Sequence, residues 1–488
     1  GSGSAFLHAN GGGNVTVTGN ATLTSALNPI DIQNAANGTT ISFNGGGNTV
    51  SKTTSGGAGV NWGGTNTGAT LGFASLALTA SNGSGLVAAG GGTINVTTGS
   101  IAATGSAGQV APAINANGVT FGATFTSVSS TNSNNGTGNG VTLTNVLGTL
   151  TMNGGTIDTA AGTDFVISGG TANVTYAGAI TDDQGQLVNV NGATGGTKLF
   201  SGPITDGNDG DGNGISLASN TGATINFTGG LTLSTGANAA FTATGGGTIS
   251  ATQNNTSIVN TLARTSATAL AVTNTTIGAN DLVFRSIAAN GAARGISLVN
   301  TGASGGLTVT GVDGPDADAF PDAGSGGTIQ NTSTRGAEFV SAAQVNLTAM
   351  NFTNAATADF PAAPTGLSTG VNTADNAAVH LQYVTQATLD RVSITGSAEH
   401  GINGHFVTDF RFDDDHPARH RCIDPVAAAA RLAVVKKESG NAFKAGTGLA
   451  VMNGNHPGVS VHQKALCNGI PLERQCHVMN AGIANVDS

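Results

Sequence analysis

The stretch Val384–Gly396 reads VTQATLDRVSITG, and Val407–Asp414 reads VTDFRFDD. Laid one under the other, with Val384 over Val407, the two run in step: Leu389 falls over Phe412 and Asp390 over Asp413. Ala342–Asn354, AAQVNLTAMNFTN, fits the same frame, with Leu347 over Leu389, Met350 over Val392 and Phe352 over Ile394. Short alternating runs between Gly/Asn-rich turns, recurring in the low twenties, are the signature of a β-solenoid. One turn buries too few apolar side chains to offset the entropy of ordering it, so turns must stack.

Working outward, three other motifs support the repeat. GGTI recurs at Gly91–Ile94, Gly154–Ile157, Gly246–Ile249 and Gly326–Ile329. GISL recurs at Gly214–Leu217 and Gly295–Leu298, and GAITD (Gly178–Asp182) returns one repeat later as GPITD (Gly202–Asp206). The GGTI spacings divide into turns of about 20–23 residues, which implies about 18 turns. Before residue 90, strand-like alternation appears at Asn14–Thr18, Pro29–Ile32, Thr40–Phe43 and Leu71–Leu78. Gly311–Gly327 and Asp359–Asn376 interrupt the pattern and are expected to form loops outside it. The fold class is therefore all-β: a parallel β-helix, or β-solenoid, over 1–414 with turns of about 20–24 residues, followed by a non-repeat tail, 415–488.

Composition agrees with that class. Gly is 77 of 488 residues, charged residues are 9% and aromatics 4%, which suits turn-rich strands and argues against a solvated disordered chain. The formal net charge of −10, with only 16 Lys+Arg, argues against nucleic-acid and anionic-membrane partners. No run of about 18 apolar residues exists, so no membrane-inserted helix is expected. GSGSAFLHAN lacks the basic and apolar segments of a signal peptide. No Cys occurs before Asp414, which fits a secreted repeat protein stabilised by stacking in place of disulfides.

Gly202–Gly236, Gly295–Gly311 and Val384–Ile402 resemble coils of bacterial right-handed parallel β-helix proteins, the pectin-lyase-like repeat proteins of cell surfaces and autotransporter-type passengers. The resemblance covers about residues 90–414. It implies a right-handed coil and a secreted or cell-surface location, with glycans or other cell-surface components as partners. It does not specify an activity, because the fold carries lyases, hydrolases, adhesins and plain stalks. The expected function is a structural or adhesive repeat module. The alternative is a polysaccharide-active lyase or hydrolase with a groove on the helix face. The amphipathic strands and aromatic girdles of an autotransporter barrel are not expected in the tail.

Candidate sites are few. Asp209, Asp211 and Asn213 in DGNDGDGNG copy the first half of a calcium-binding loop, in which alternating oxygens wrap a hard cation around a Gly turn. The position of the bidentate Glu is Asn220, so calcium would need ligands from other turns. Asp313, Asp316, Asp318 and Asp322 form a second acidic loop. Asp182–Asp183 and His400 are separated by about ten turns and do not form one site. Asp390, Arg391, Glu399, His400, Asp409 and Arg411 fall within two turns and are expected to lie on a solvated outer face. Trp62 is expected to pack at a corner or an edge.

The tail differs in character. It holds all three Cys, half of the Lys+Arg and five of nine His. Cys422, Cys467, Cys476 and His477 lack the paired spacing of a zinc knuckle. Codons for Asp414–Cys422 can be read in a shifted frame as Thr-Thr-Leu-Gln-Gly-Ile-Gly, whose start fits Val392–Gly396, so the tail is expected to be a frame-slip product. The competing expectation is a terminal domain with a helix near Val426–Lys437.

Overall fold

Alternating Val/Ile/Leu and Thr/Ser/Asn give each run one apolar and one polar face, and stacking runs of the same direction buries the apolar one. A computed structural model describes residues 6–413, apart from 107, 134–137, 159, 183–184, 208–213, 264–265, 316–319, 358–375 and 399, together with the short strand Leu432–Val434. Among the described residues every strand ladder pairs in parallel, and the fold is a β-solenoid of about 13 turns. The chain divides into two units: Gly1–Arg264 with Ala269–Val283, and Thr265–Thr268 with Phe284–Ser488.

In unit one each turn contributes to three sheets. The first sheet runs from Phe6–Gly11 through Ile30–Ala35 and Ala58–Gly63 to Leu270–Thr273. Its register fixes the length of each turn. Phe165 pairs with Val188 and Val141 with Phe165, so these turns are short and nearly equal. Ile30 pairs with Val60, a longer step. The expected 18 turns were too many for a specific reason. GGTI opens strands in different sheets: Thr93–Val96 belongs to the second and Thr156–Asp158 to the third. Its spacing therefore counts fractions of a turn. GAITD and GPITD do mark one position, since Ile180 pairs with Ile204 and Asp182 with Asp206.

Unit two keeps the same plan with longer excursions. Its first sheet holds Arg294–Gly302, Arg335–Ala342, Ala377–Gln382, His400–His405 and Leu432–Val434. Ile296 pairs with Ala337 and Ala337 with Val379, each a long step, because the loops after Val309 and Thr353 lie within those turns. The first loop closes on an antiparallel bridge between Asp313 and Pro321. Most of the second lies outside the described residues. The opening alignment holds residue for residue: Leu347 pairs with Leu389, Leu389 with Phe412, Asp390 with Asp413 and Phe352 with Ile394. Leu432 pairs with Ile402, so 432–434 is a strand, not part of a helix. The rest of 414–488 lies outside the described residues.

The core is a column of aliphatic side chains with aromatic stacks. Phe43 lies on Phe73 at 4.9 Å and Phe200 on Phe227 at 5.2 Å. Trp62 is buried, its indole N–H donating to Gly91 O at 2.8 Å, so it is a packing residue. Buried Asn side chains close the corners between sheets. Asn220 Oδ1 accepts from Ala193 N at 3.0 Å while its Nδ2 donates to Val190 O at 2.8 Å. Asn66 does the same for Ala35 N and Gly63 O. Each amide satisfies two peptide groups that the bending chain would otherwise leave unpaired.

Two lysines also lie inside. Lys198 Nζ donates to Ala172 O at 2.7 Å and Gly195 O at 2.6 Å, and burial pushes its pKa down to about 8. Lys52 Nζ donates to Ser81 O at 2.8 Å and to Thr54 O, and its pKa is lowered for the same reason.

Candidate functional site

The outward rows of unit one are almost free of charge. Along its first sheet one row runs Asp31, Asn61, Val87, Asn115 and Thr142, each residue directly over the next. On the second sheet Thr40, Thr70, Thr93 and Thr120 are stacked in the same way, as are Thr197, Thr224, Thr248 and Thr276.

The corresponding row of unit two is different. Ser297, Glu338, His380 and Asn403 stand one over another on four successive turns. They alternate with the core residues Leu298, Phe339 and Leu381, so the strand pleat aims them away from the core. Glu338 is buried; it forms an ion pair with Arg294, Nε lying 2.8 Å from the carboxylate, and accepts hydrogen bonds from Ser297 Oγ at 3.0 Å and from Arg335 Nη1. Such charge-assisted pairs offset the cost of burying the carboxylate.

His380 is fully buried, and neither ring nitrogen meets a partner at hydrogen-bond geometry. Burial, then Arg335, His405 and Arg294, push its pKa down to about 3, against a weak opposing effect of the Gln382 side chain. The imidazole is therefore neutral at physiological pH. The His405 ring lies 6.2 Å away, and His400 continues the row of Arg294, Arg335 and Ala377.

Next to this strip, at the corner that follows the first sheet, two aromatic rings are stacked. Tyr383 and Phe406 lie 4.8 Å apart with 4° between their planes, and Tyr383 is 51% exposed. Both hold left-handed backbones, at φ 53° and 54°. The same corner elsewhere holds small or polar residues such as Gly90, Asn145, Ser219 and Ser341, at φ 76°, 50°, 55° and 51°. A left-handed residue with a Cβ costs roughly 1–2 kcal/mol, so the pair costs about 2–4 kcal/mol. One stacked contact returns only about 0.5–1.5 kcal/mol. Stability alone does not explain the pair.

The sequence-derived candidates fall in other places. Asp209, Asp211 and Asn213 lie outside the described residues, as do Asp183, Asp316, Asp318 and Glu399. Asp182 is not on an outer face. It points into the core, where it pairs with buried Asp206, and its negative charge also acts on Asp164. Asp164 is fully buried: Oδ1 accepts from Ala160 N at 3.3 Å and Oδ2 has no partner. Burial first and then the charge of Asp182 raise its pKa well above the usual carboxylate range. Among the described residues no group of three or more His, Cys, Asp or Glu is placed to hold a metal ion.

The set expected on one solvated face is split between two sheets. His400 belongs to the first sheet, while Asp390, Asp409 and Arg411 belong to the second. Arg391 is mostly buried, paired with Asp390 at 2.6 Å and lying 5.0 Å from the centre of the Phe320 ring. The alternation in RGAEFVSA could have located Glu338, since Ala337 and Phe339 on either side of it face the core. His380 and Asn403, one short turn apart, were also within reach of the repeat frame.

The architecture defines the class, a parallel β-solenoid. Comparison of the chain with protein-family models, with curated proteins and with solved structures found no match.

Proposed function

We propose that this chain is a secreted or bacterial cell-surface repeat module with a structural and adhesive role, similar to pectin-lyase-like and autotransporter-type β-helices. The observation that carries the reading is the set of stacked hydroxyl and amide rows on unit one. Such rows present a surface with little charge that repeats every turn and offers many weak polar contacts along its length. Its partners are glycans or other cell-surface components. Adhesion of the purified chain to cells and to polysaccharide-coated surfaces tests this, and binding no greater than that of an unrelated β-solenoid overturns it.

The second reading is a polysaccharide-active lyase or hydrolase. One observation favours it: Arg294, Arg335, Glu338 and His380 stand on adjacent turns of one outward face. Arginines can hold uronate carboxylates, and a carboxylate can take a proton. Incubation with uronate polymers, followed for unsaturated uronates and new reducing ends, tests it; activity retained in Glu338→Gln assigns any turnover elsewhere. Calcium at Asp209, Asp211 and Asn213 is a further proposal. Calorimetry at millimolar calcium is expected to show heat of binding and a raised Tm, and neither appearing removes the site.

A further inference from the structure

We propose that Tyr383 and Phe406 form a stacking shelf for one pyranose ring of a neutral glycan. The proposal rests on the adhesive reading and names the place where unit two engages its ligand. The two rings occupy successive turns, and Phe406 covers one face of Tyr383. On the other side, one turn earlier, the corner residue is the small, exposed Ser341. Tyr383 is 51% exposed, and a small residue at that corner leaves about one strand spacing, roughly 4.8 Å and the thickness of a single ring, on that side of it. The C–H face of a sugar packs against an aromatic face without needing a charge.

The groups beside the shelf fit the same ligand. Gln382 is half-buried, carries both a donor and an acceptor, and lies in the same outward row as His405. The one carboxylate of the strip, Glu338, is held between Arg294 and Arg335, so it does not repel the hydroxyl oxygens of a sugar beside it. The backbone strain points the same way. Two bulky residues hold a conformation that other turns give to Gly, Asn or Ser, and their stacking offsets only part of the cost.

Tyr383→Asn is the informative variant because Asn accepts a left-handed backbone and leaves the fold intact. The chain has two Tyr; Tyr176 is buried, so a tyrosine difference spectrum on ligand addition reports Tyr383. The probes are hexasaccharides of glucose, galactose, mannose and N-acetylglucosamine, with a hexauronate and a proline-rich peptide as contrasts. Expected are saturable binding of a neutral hexasaccharide with a tyrosine signal, at least tenfold weaker binding by Tyr383→Asn, and a Tm equal to or above that of the parent. Parent and variant binding alike overturns the shelf and leaves the adhesive reading standing. No neutral saccharide bound, or the peptide or hexauronate preferred, also overturns the shelf; cell adhesion then decides the adhesive reading by itself. A variant less stable than the parent shows that the pair is structural and likewise overturns it.

Discussion

Lys198 is an ammonium held inside an apolar column by two carbonyl oxygens. Its folded pKa, about 8, lies below the ordinary value of 10.5. Between those values the unfolded chain binds more protons, so stability rises with pH across that window. The gain is at most about 3 kcal/mol, and Lys198→Met is expected to flatten it in denaturant titrations between pH 8 and 10.5. His380 has the same sign at lower pH. Its folded pKa of about 3 lies below the ordinary 6.5, so stability falls as pH drops from 6.5. His380→Leu is expected to remove most of that acid sensitivity, read as Tm against pH. Asp164 has the opposite sign, because its pKa is raised. It favours the fold below the ordinary carboxylate pKa and loses that contribution as pH rises through the folded value. Asp164→Asn keeps the acceptor for Ala160 N and is expected to raise Tm at about pH 7.

At the scale of the strand and its corner, register carries most of the specificity. Asn220 serves two peptide groups on neighbouring segments, and Asn220→Ala is expected to cost about 2–3 kcal/mol in urea unfolding, since both are left buried and unpaired. Glu338→Ala leaves Arg294 and Arg335 without their carboxylate and is expected to cost about 3 kcal/mol. Local strands were legible in the sequence wherever alternation was clean, as at Thr40–Phe43, whose bounds the structure reproduces. The repeat length was legible where turns are short. It misled where one motif opens strands in different sheets, because periodicity shows that a strand follows a turn but not which sheet receives it. The polar strip was missed for a related reason. The step from Glu338 to His380 is nearly twice that from His380 to Asn403, and only the length of the intervening loop brings all three into one row. The inward direction of Asp182 was not legible, because a short acidic turn looks the same in sequence whether its carboxylate faces water or the core.

For the molecule as a whole, each turn depends mainly on the turns next to it. Removal of 165–187, one complete turn, joins Asp164 to Val188 and keeps every sheet in phase. The shortened chain is expected to keep a strand-type circular dichroism spectrum and a cooperative melt. Removal of 165–175 shifts the phase of the sheets at that turn and is expected to lower the Tm and to split or broaden the melt, while distant turns keep their strand signal. The tail question belongs to the gene. If the shifted frame after Asp414 does not extend the repeat in the nucleotide sequence, the frame-slip proposal falls.

The buried lysines have a further consequence. Before Arg264 the chain contains two basic side chains, Lys52 and Lys198, and both ammonium groups are tied to backbone carbonyls inside the solenoid. Trypsin needs such a side chain in an extended, accessible segment, and amine-reactive dyes need a free amine on the surface. Native digestion is expected to leave a fragment ending at or beyond Arg264, with no cut at Lys52 or Lys198, and dye is expected to attach within it only at the terminal amine. A surface that gives trypsin nothing to hold makes this part of the chain resistant to any protease that requires a basic side chain at the cut.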